Sequence, residues 1–210
     1  RDGWDSTDNF LLVDCGEVGA MSGAHGHADA LSIEASVLGK TTLIDPGTFS
    51  YHESREMRDL FRATAAHNTI TIDDASSSDP GGVFSWRERA TTEWHSAICE
   101  PRFDFFSGSV NGFSSIEDGA VHKREILFLR GDYMIIRDEV ESRGNHAYEL
   151  NFHYNVGIAA GTSADSSFSG NSDHRIATQN LPKNIIDKIQ VYNEVDMNSE
   201  ASRSQMTDAN

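Results

Sequence analysis

"AHGHADALSIEASV", residues 24–37, decides the fold. His25, His27 and Asp29 recur at every second position, and the same odd register continues through Leu31, Ile33, Ala35 and Val37. Ser32, Glu34 and Ser36 fill the even positions. A period of two marks one face of a β-strand. The expectation is a strand reaching back through the histidines. Groups able to bind a metal or move protons would then lie in line with a buried apolar face.

Outward from this stretch, strand signals dominate. "NFLLVDCG" (9–16) precedes it, and "TTLIDPG" (41–47) follows across Gly39-Lys40. "NTITIDD" (68–74) alternates and runs into a Ser/Asp/Pro/Gly turn. Further strands are expected in "RATTEWHSAI", "RFDFFSGSVNGF", "AVHKREILFLRG", "DYMIIRDEVES", "AYELNFHYNVG" and "IIDKIQVYNEV", with a tight hairpin at Gly131-Asp132. Only "ESREMRDLFRAT" (53–64) has helical spacing, with Met57, Leu60 and Phe61 on one side. Many antiparallel-type strands with one short surface helix predict an all-β fold, an antiparallel β-sandwich. The sandwich is expected over 1–197, with a Gly/Ser-rich flexible loop at 157–173 and a disordered polar tail at 198–210.

At 38% hydrophobic, the 210 residues can bury a real core, and no apolar run is long enough for a membrane-spanning helix. The opening "RDGWDSTDNF" lacks both a signal-peptide pattern and an initiator Met, so a piece of a longer chain is expected. The net charge of −16 repels nucleic acid and anionic membranes. It would also repel an acidic polysaccharide unless basic residues cluster locally or another domain supplies them. Cys15 and Cys99 follow no metal-ligand spacing; the sequence leaves open two buried thiols or one disulfide.

Candidate ligands concentrate in three places: His27 in "HGHAD", Asp45 in "LIDPG" and His67 in "AAHNT". Two imidazoles and a carboxylate form a donor set that suits Zn²⁺, with a fourth position left open. Spacing alone leaves separate surface or capping histidines as the alternative.

The runs "GHADALSIEASVLGKTTLIDPGTFSY" (26–51) and "RDLFRATAAHNTITID" (58–73) resemble the signature of the heparinase II/III-like polysaccharide lyases. These include heparin and heparan sulfate lyases and oligoalginate lyases. "HKREILFLRGDYMIIRDEV" and "ELNFHYNVG" also fit that family's C-terminal β domain, so the resemblance covers roughly 8–157. It implies a supersandwich-like β domain that in the family follows an N-terminal α/α-toroid, with the active site between them. It further implies a metal, usually zinc, held by His27, Asp45 and His67. His25 would face the catalytic cleft and Tyr51 is the nearest match to a tyrosine used in several members. The family's remaining catalytic groups lie on the toroid, outside this chain.

The implied chemistry is β-elimination at C4 of a uronate. The C5 proton is barely acidic until the neighbouring carboxylate is neutralised, so a site must supply donors or positive charge, a base and an acid. Histidine serves any of these roles near neutral pH, whereas tyrosine is a base only where positive charge lowers its pKa. Zinc beside His25 is expected to act structurally and electrostatically. Asp29 is expected to orient a histidine from behind, with a strand-start cap as the alternative. Arg58 and Arg62 are candidates to meet the anionic substrate, against surface pairing with Glu53 or Glu56. Trp86 and Trp94 are expected in the core, and His122, His146, His153 and His174 have no ligand spacing. The partners expected are an acidic polysaccharide or oligosaccharide and the toroid, in a periplasmic or secreted location.

Two other readings compete. H-x-H in a β-rich chain also fits a cupin-like metal enzyme, but Glu34 lies too far beyond His27 for that family's glutamate spacing. A non-catalytic carbohydrate-binding module is the third.

Overall fold

The computed structural model describes residues 1–117 and 119–155, and beyond them only the backbone of strands at 168–169, 174–177 and 189–195. The expected loop at 157–173 falls almost wholly outside the described residues, and the expected tail at 198–210 does so entirely. In chain order the strands are β1 (Phe10–Val13), β2 (Ile33–Val37), β3 (Lys40–Leu43), β4 (Ile70–Ile72), β5 (Asp79–Gly82), β6 (Ser85–Glu88) and β7 (Thr91–Cys99). They continue with β8 (Phe103–Gly112), β9 (Ala120–Leu129), β10 (Met134–Ser142), β11 (Tyr148–Asn151), β12 (Phe168–Ser169), β13 (His174–Ala177) and β14 (Ile189–Val195). One α-helix, α1 (Arg55–Phe61), and a 3-10 turn at Thr64–Ala66 separate β3 from β4.

The largest sheet has the order β12-β14-β10-β9-β8-β7, and β7 to β10 form an antiparallel meander. Smaller sheets β1-β2-β3 and β13-β11-β4 stand apart from it, with β5-β6 as a separate hairpin. The pairs β1–β2, β2–β3 and β4–β11 are antiparallel; β14 against β10 and β13 against β11 are parallel. One apolar core joins the large sheet to the two smaller ones. Ile126, Phe128, Met134, Ile136 and Val140 meet Ile33, Ala35 and Leu43 of one small sheet and Ile70, Ile72 and Leu150 of the other. Shared burial of this kind defines a sandwich.

Local chemistry explains the turns. β2 and β3 are joined by Leu38 and Gly39, both at positive φ (52° and 72°), as a two-residue hairpin requires. The Asn9 side chain accepts from the Leu38 N–H at 2.8 Å and holds that strained residue. The hairpin expected at Gly131-Asp132 is present between β9 and β10, with Gly131 at φ 73°.

Several expectations are corrected. β2 begins at Ile33, not at the histidines, because Leu31 adopts φ 62° and breaks the extended run. The segment before it is a loop whose backbone bonds go to the side chains of Thr64, Thr69 and Arg124 and to backbone outside any strand. Helix α1 is capped by Ser54, which accepts from Met57 N–H, but it buries Arg58 while Leu60 is 58% exposed. The Ser/Asp/Pro/Gly turn expected after β4 supplies, in its last four residues, strand β5, which pairs with β6 as a hairpin. Cys15 and Cys99 are both free thiols, and Cys99 is exposed. Trp94 lies on the exposed strand β7 at the sheet edge and is 63% exposed rather than in the core.

Candidate metal centre and adjoining cleft

Three segments deliver the site. The first is the H-G-H loop. Gly26 is needed between the histidines because a Cβ there would come within 2.7 Å of the Gly19 nitrogen. The loop is tied down by Ala28 N–H donating to the Arg62 carbonyl (2.8 Å) and by the Thr64 hydroxyl donating to the Ala28 carbonyl (2.7 Å). The second is the end of β3, where Asp45 accepts from Gly47 N–H at 2.8 Å and closes its own turn. The third is the turn before β4, which carries His67.

Two buried side chains, not anticipated from the sequence, fix these segments together. Asn68 donates to the carbonyls of Ile33 (2.7 Å) and Ile44 (3.0 Å), and its Oδ1 accepts from His153 N–H at 2.6 Å. Arg124 on β9 donates through one nitrogen to the carbonyls of Leu31 and Asn68, both at 2.7 Å. The guanidinium is anchored on Asp138, which also bonds His122 at 2.7 Å.

His27, Asp45 and His67 each bring one ligand-capable atom to within 4.8 Å of the others, the arrangement expected for a three-donor site. His67 Nδ1 is 2.5 Å from Asp45 Oδ2, and the two imidazole rings are 5.2 Å apart. His67 is fully buried, yet among the described residues its Nε2 has no hydrogen-bond partner. Burial, then the neighbouring His67 and Arg58, bring the His27 pKa down to about 4. Its imidazole is therefore neutral at neutral pH, and Arg58 donates to its Nε2 at 3.3 Å. Burial alone would raise Asp45, but the hydrogen bond and charge of His67 hold it below the usual carboxylate range. Neutral imidazole, an ionised carboxylate and an orphaned buried ring nitrogen are what a zinc-type cation needs, so the residues fit such an ion.

On the solvent side of this trio, His25 is exposed and its Nδ1 lies 3.2 Å from the Tyr51 hydroxyl. The Arg58 guanidinium lies 5.0 Å from the centre of the Tyr51 ring. Phe84 at the tip of the β5–β6 hairpin borders both rings. Thr48, 3.2 Å from His27 Nε2, completes the inner wall.

The remaining candidates are placed as follows. Arg58 and Arg62 are fully buried, so the surface pairing with Glu53 or Glu56 does not occur. Arg62 pairs with Asp59 (2.5 Å), donates to the Gly82 carbonyl (2.6 Å) and faces the Trp86 ring. It supports the hairpin rather than lining the opening. Among the described residues no hydrogen bond joins the Asp29 side chain to a histidine; burial chiefly raises its pKa to about 6. His146 bonds Asp73, and His153 donates to the Ala65 carbonyl. The His174 side chain lies outside the described residues.

Residues 3–202 match the family model described as Heparinase II/III-like, C-terminal. No curated protein matches the sequence. Among solved structures, the chain is similar to a heparan sulfate lyase, HepC from Pedobacter heparinus, at 20% identity and TM-score 0.53, covering 69% of this chain and 20% of that one. It is similar to a heparinase III gene product at 22% identity and TM-score 0.61, covering 77% of this chain and 23% of that one. A further heparinase III aligns at 14% identity and TM-score 0.58, covering 78% and 24%. The chain thus spans between a fifth and a quarter of the length of the structures it matches.

Proposed function

The chain belongs to the heparinase II/III-like family through its C-terminal domain, and from that premise we propose that it is part of a polysaccharide lyase acting by β-elimination on a uronate-containing polymer. The observation that carries this reading is the pairing of an inner His/Asp/His donor trio with an outer, exposed His25–Tyr51 pair. The two sets share Arg58, which touches His27 on one side and Tyr51 on the other.

Each residue has a role in the reading. His27, Asp45 and His67 would hold the metal, which supplies fixed positive charge and clamps three loops. His25 and Tyr51 present ring nitrogen and phenol oxygen 3.2 Å apart, close enough to donate to a substrate carboxylate or pass a proton at C5 or the leaving oxygen. Arg58 places a permanent charge beneath this pair, offsetting locally the net charge of −16 that would repel the polymer. The opposite wall of the cleft would come from a separate helical domain of the longer protein. A periplasmic or secreted location suits a polymer of that kind. Among the described residues no helix is long and apolar enough to cross a membrane.

The test is absorbance of the unsaturated product with alginate and heparan-type chains. The longer protein carrying this domain should turn over at least one of them, and His25→Ala should abolish it. Residues 1–210 alone should give no appreciable turnover, because elimination needs acid, base and carboxylate neutraliser positioned together. Turnover by the isolated chain, or an active His25→Ala enzyme, would overturn the reading.

A further inference from the structure

The β5–β6 hairpin closes with Val83-Phe84, and Gly82 pairs with Ser85 across the turn. Two-residue hairpins favour Asn-Gly or related pairs, so turn chemistry gives no reason for an aromatic here. Folding gives little reason either, since Phe84 is 40% exposed. The hairpin that carries the ring is nonetheless tied down on both sides of the turn. Arg62 donates to the Gly82 carbonyl at 2.6 Å, Arg55 reaches the Gly81 carbonyl, and Trp86 Nε1–H donates to the Gly23 carbonyl at 2.8 Å. The Phe84 ring stands 5.9 Å from His25, 5.7 Å from Tyr51 and 6.0 Å from His52, centre to centre.

We infer that Phe84 is a sugar-stacking platform at the mouth of the cleft, taking one pyranose ring of a uronate oligosaccharide and setting it against the His25–Tyr51 pair. A pyranose has one face of C–H bonds, and an aromatic ring offers the apolar, electron-rich surface that such a face prefers. The ring carries no charge, so it holds the sugar without competing for the carboxylate that His25 and Tyr51 address. This rests on the lyase reading for the identity of the ligand, and on the hairpin geometry for the platform.

The test compares Phe84→Ala, Phe84→Leu and Phe84→Tyr in the longer protein, reading KM, kcat and equilibrium binding of uronate tetrasaccharides. Phe84→Ala should raise KM and the dissociation constant about ten-fold, the scale of one lost aromatic contact, with kcat changed much less. Phe84→Tyr should stay within about two-fold and Phe84→Leu should behave like alanine, because leucine restores packing but not a flat ring. If Phe84→Leu restores binding, or Phe84→Ala leaves it unchanged, the platform is wrong and the ring merely covers its neighbours. If the wild type binds the tetrasaccharides through Phe84 but turns over none of them, the platform stands and the lyase reading fails. If the wild type binds none of them, the platform fails with it.

Discussion

Two of the His–Asp pairs among the described residues, one inside the large sheet and one at a loop rim, have contrasting settings. His122 and Asp138 face inward from neighbouring strands of the large sheet, each side chain 1% exposed, with Arg124 forked onto the same carboxylate. His67 and Asp45 meet on a loop rim, where the aspartate is 27% exposed and a second imidazole faces the first. In the inner pair, Arg124 brings the compensating charge, and its Nη1 donates to two backbone carbonyls. Burial lowers the His122 pKa and keeps it neutral, while Arg124 outweighs burial and holds Asp138 far below the usual carboxylate range. The neutral ring gives its Nε2–H to Asp138, leaving Nδ1 as an unprotonated acceptor, cheaper to leave unpaired than a buried N–H. Among the described residues no arginine bonds the rim carboxylate. The rim pair's buried ring nitrogen and nearby His27 give it donors that fit a cation. The same two residue types build a girder in one place and a candidate ligand set in the other. What differs is the third partner.

The strongest way to break this comparison is to neutralise each aspartate. Asp138→Asn leaves Arg124 buried without its counter-charge and should cost about 3–5 kcal/mol of unfolding free energy. Asp45→Asn, measured with chelator present, should cost about 1.5–3 kcal/mol, the loss of one hydrogen bond to a charged group. Urea denaturation measures both; equal costs would erase the distinction.

Metal comes next in size. Because the ion would join three segments, hundredfold zinc over its dissociation constant should add about 2.7 kcal/mol to the wild type. His27→Ala should remove that gain entirely, and His122→Gln should keep it. Thermal melts with zinc and with chelator check this.

The inner pair also predicts a pH dependence. With its folded pKa below the unfolded value of about 6.5, His122 lets the unfolded chain take up the proton first. Stability is therefore lost as pH falls below about 6.5, and Asp138 adds loss of the same sign below about 4. One group contributes at most about 1.4 kcal/mol per pH unit. The difference in urea midpoint between wild type and His122→Gln isolates it, since other groups titrate in both. The wild type should be the steeper between pH 7 and 5; parallel curves would contradict a neutral His122.

The smallest effect on stability belongs to His25, which is exposed and bonded only to Tyr51 among the described residues. His25→Ala should change unfolding free energy by no more than about 0.5 kcal/mol. Its effect should be confined to turnover in the longer protein.

Much of this was legible in the sequence, but unevenly. Alternation gave most long strands, because a half-buried strand must put every second residue inside. It misled at His25–Asp29, where Leu31 leaves the extended region and the apparent continuation of β2 is a loop. The trio was legible as residue types and through family resemblance, while the convergence of its members depends on contacts up to 85 residues apart through Asn68. Arg124 and Asp138 carry a signal in the sequence itself. They occupy the inward register of β9 and β10 with Ile126 and Ile136, where a charge must have a partner. Helix α1 was read by its apolar spacing, yet its buried side belongs to Arg58, whose partners come from other segments.

The central claim is that His27, and not His25, belongs to the ion-binding trio. Elemental analysis of chelator-free wild type, His25→Ala and His27→Ala tests it most directly. Wild type and His25→Ala should each carry about one zinc-like ion per chain, and His27→Ala none. A His25→Ala protein without metal beside a His27→Ala protein that retains it would reverse the assignment, and a metal-free wild type would contradict the site itself.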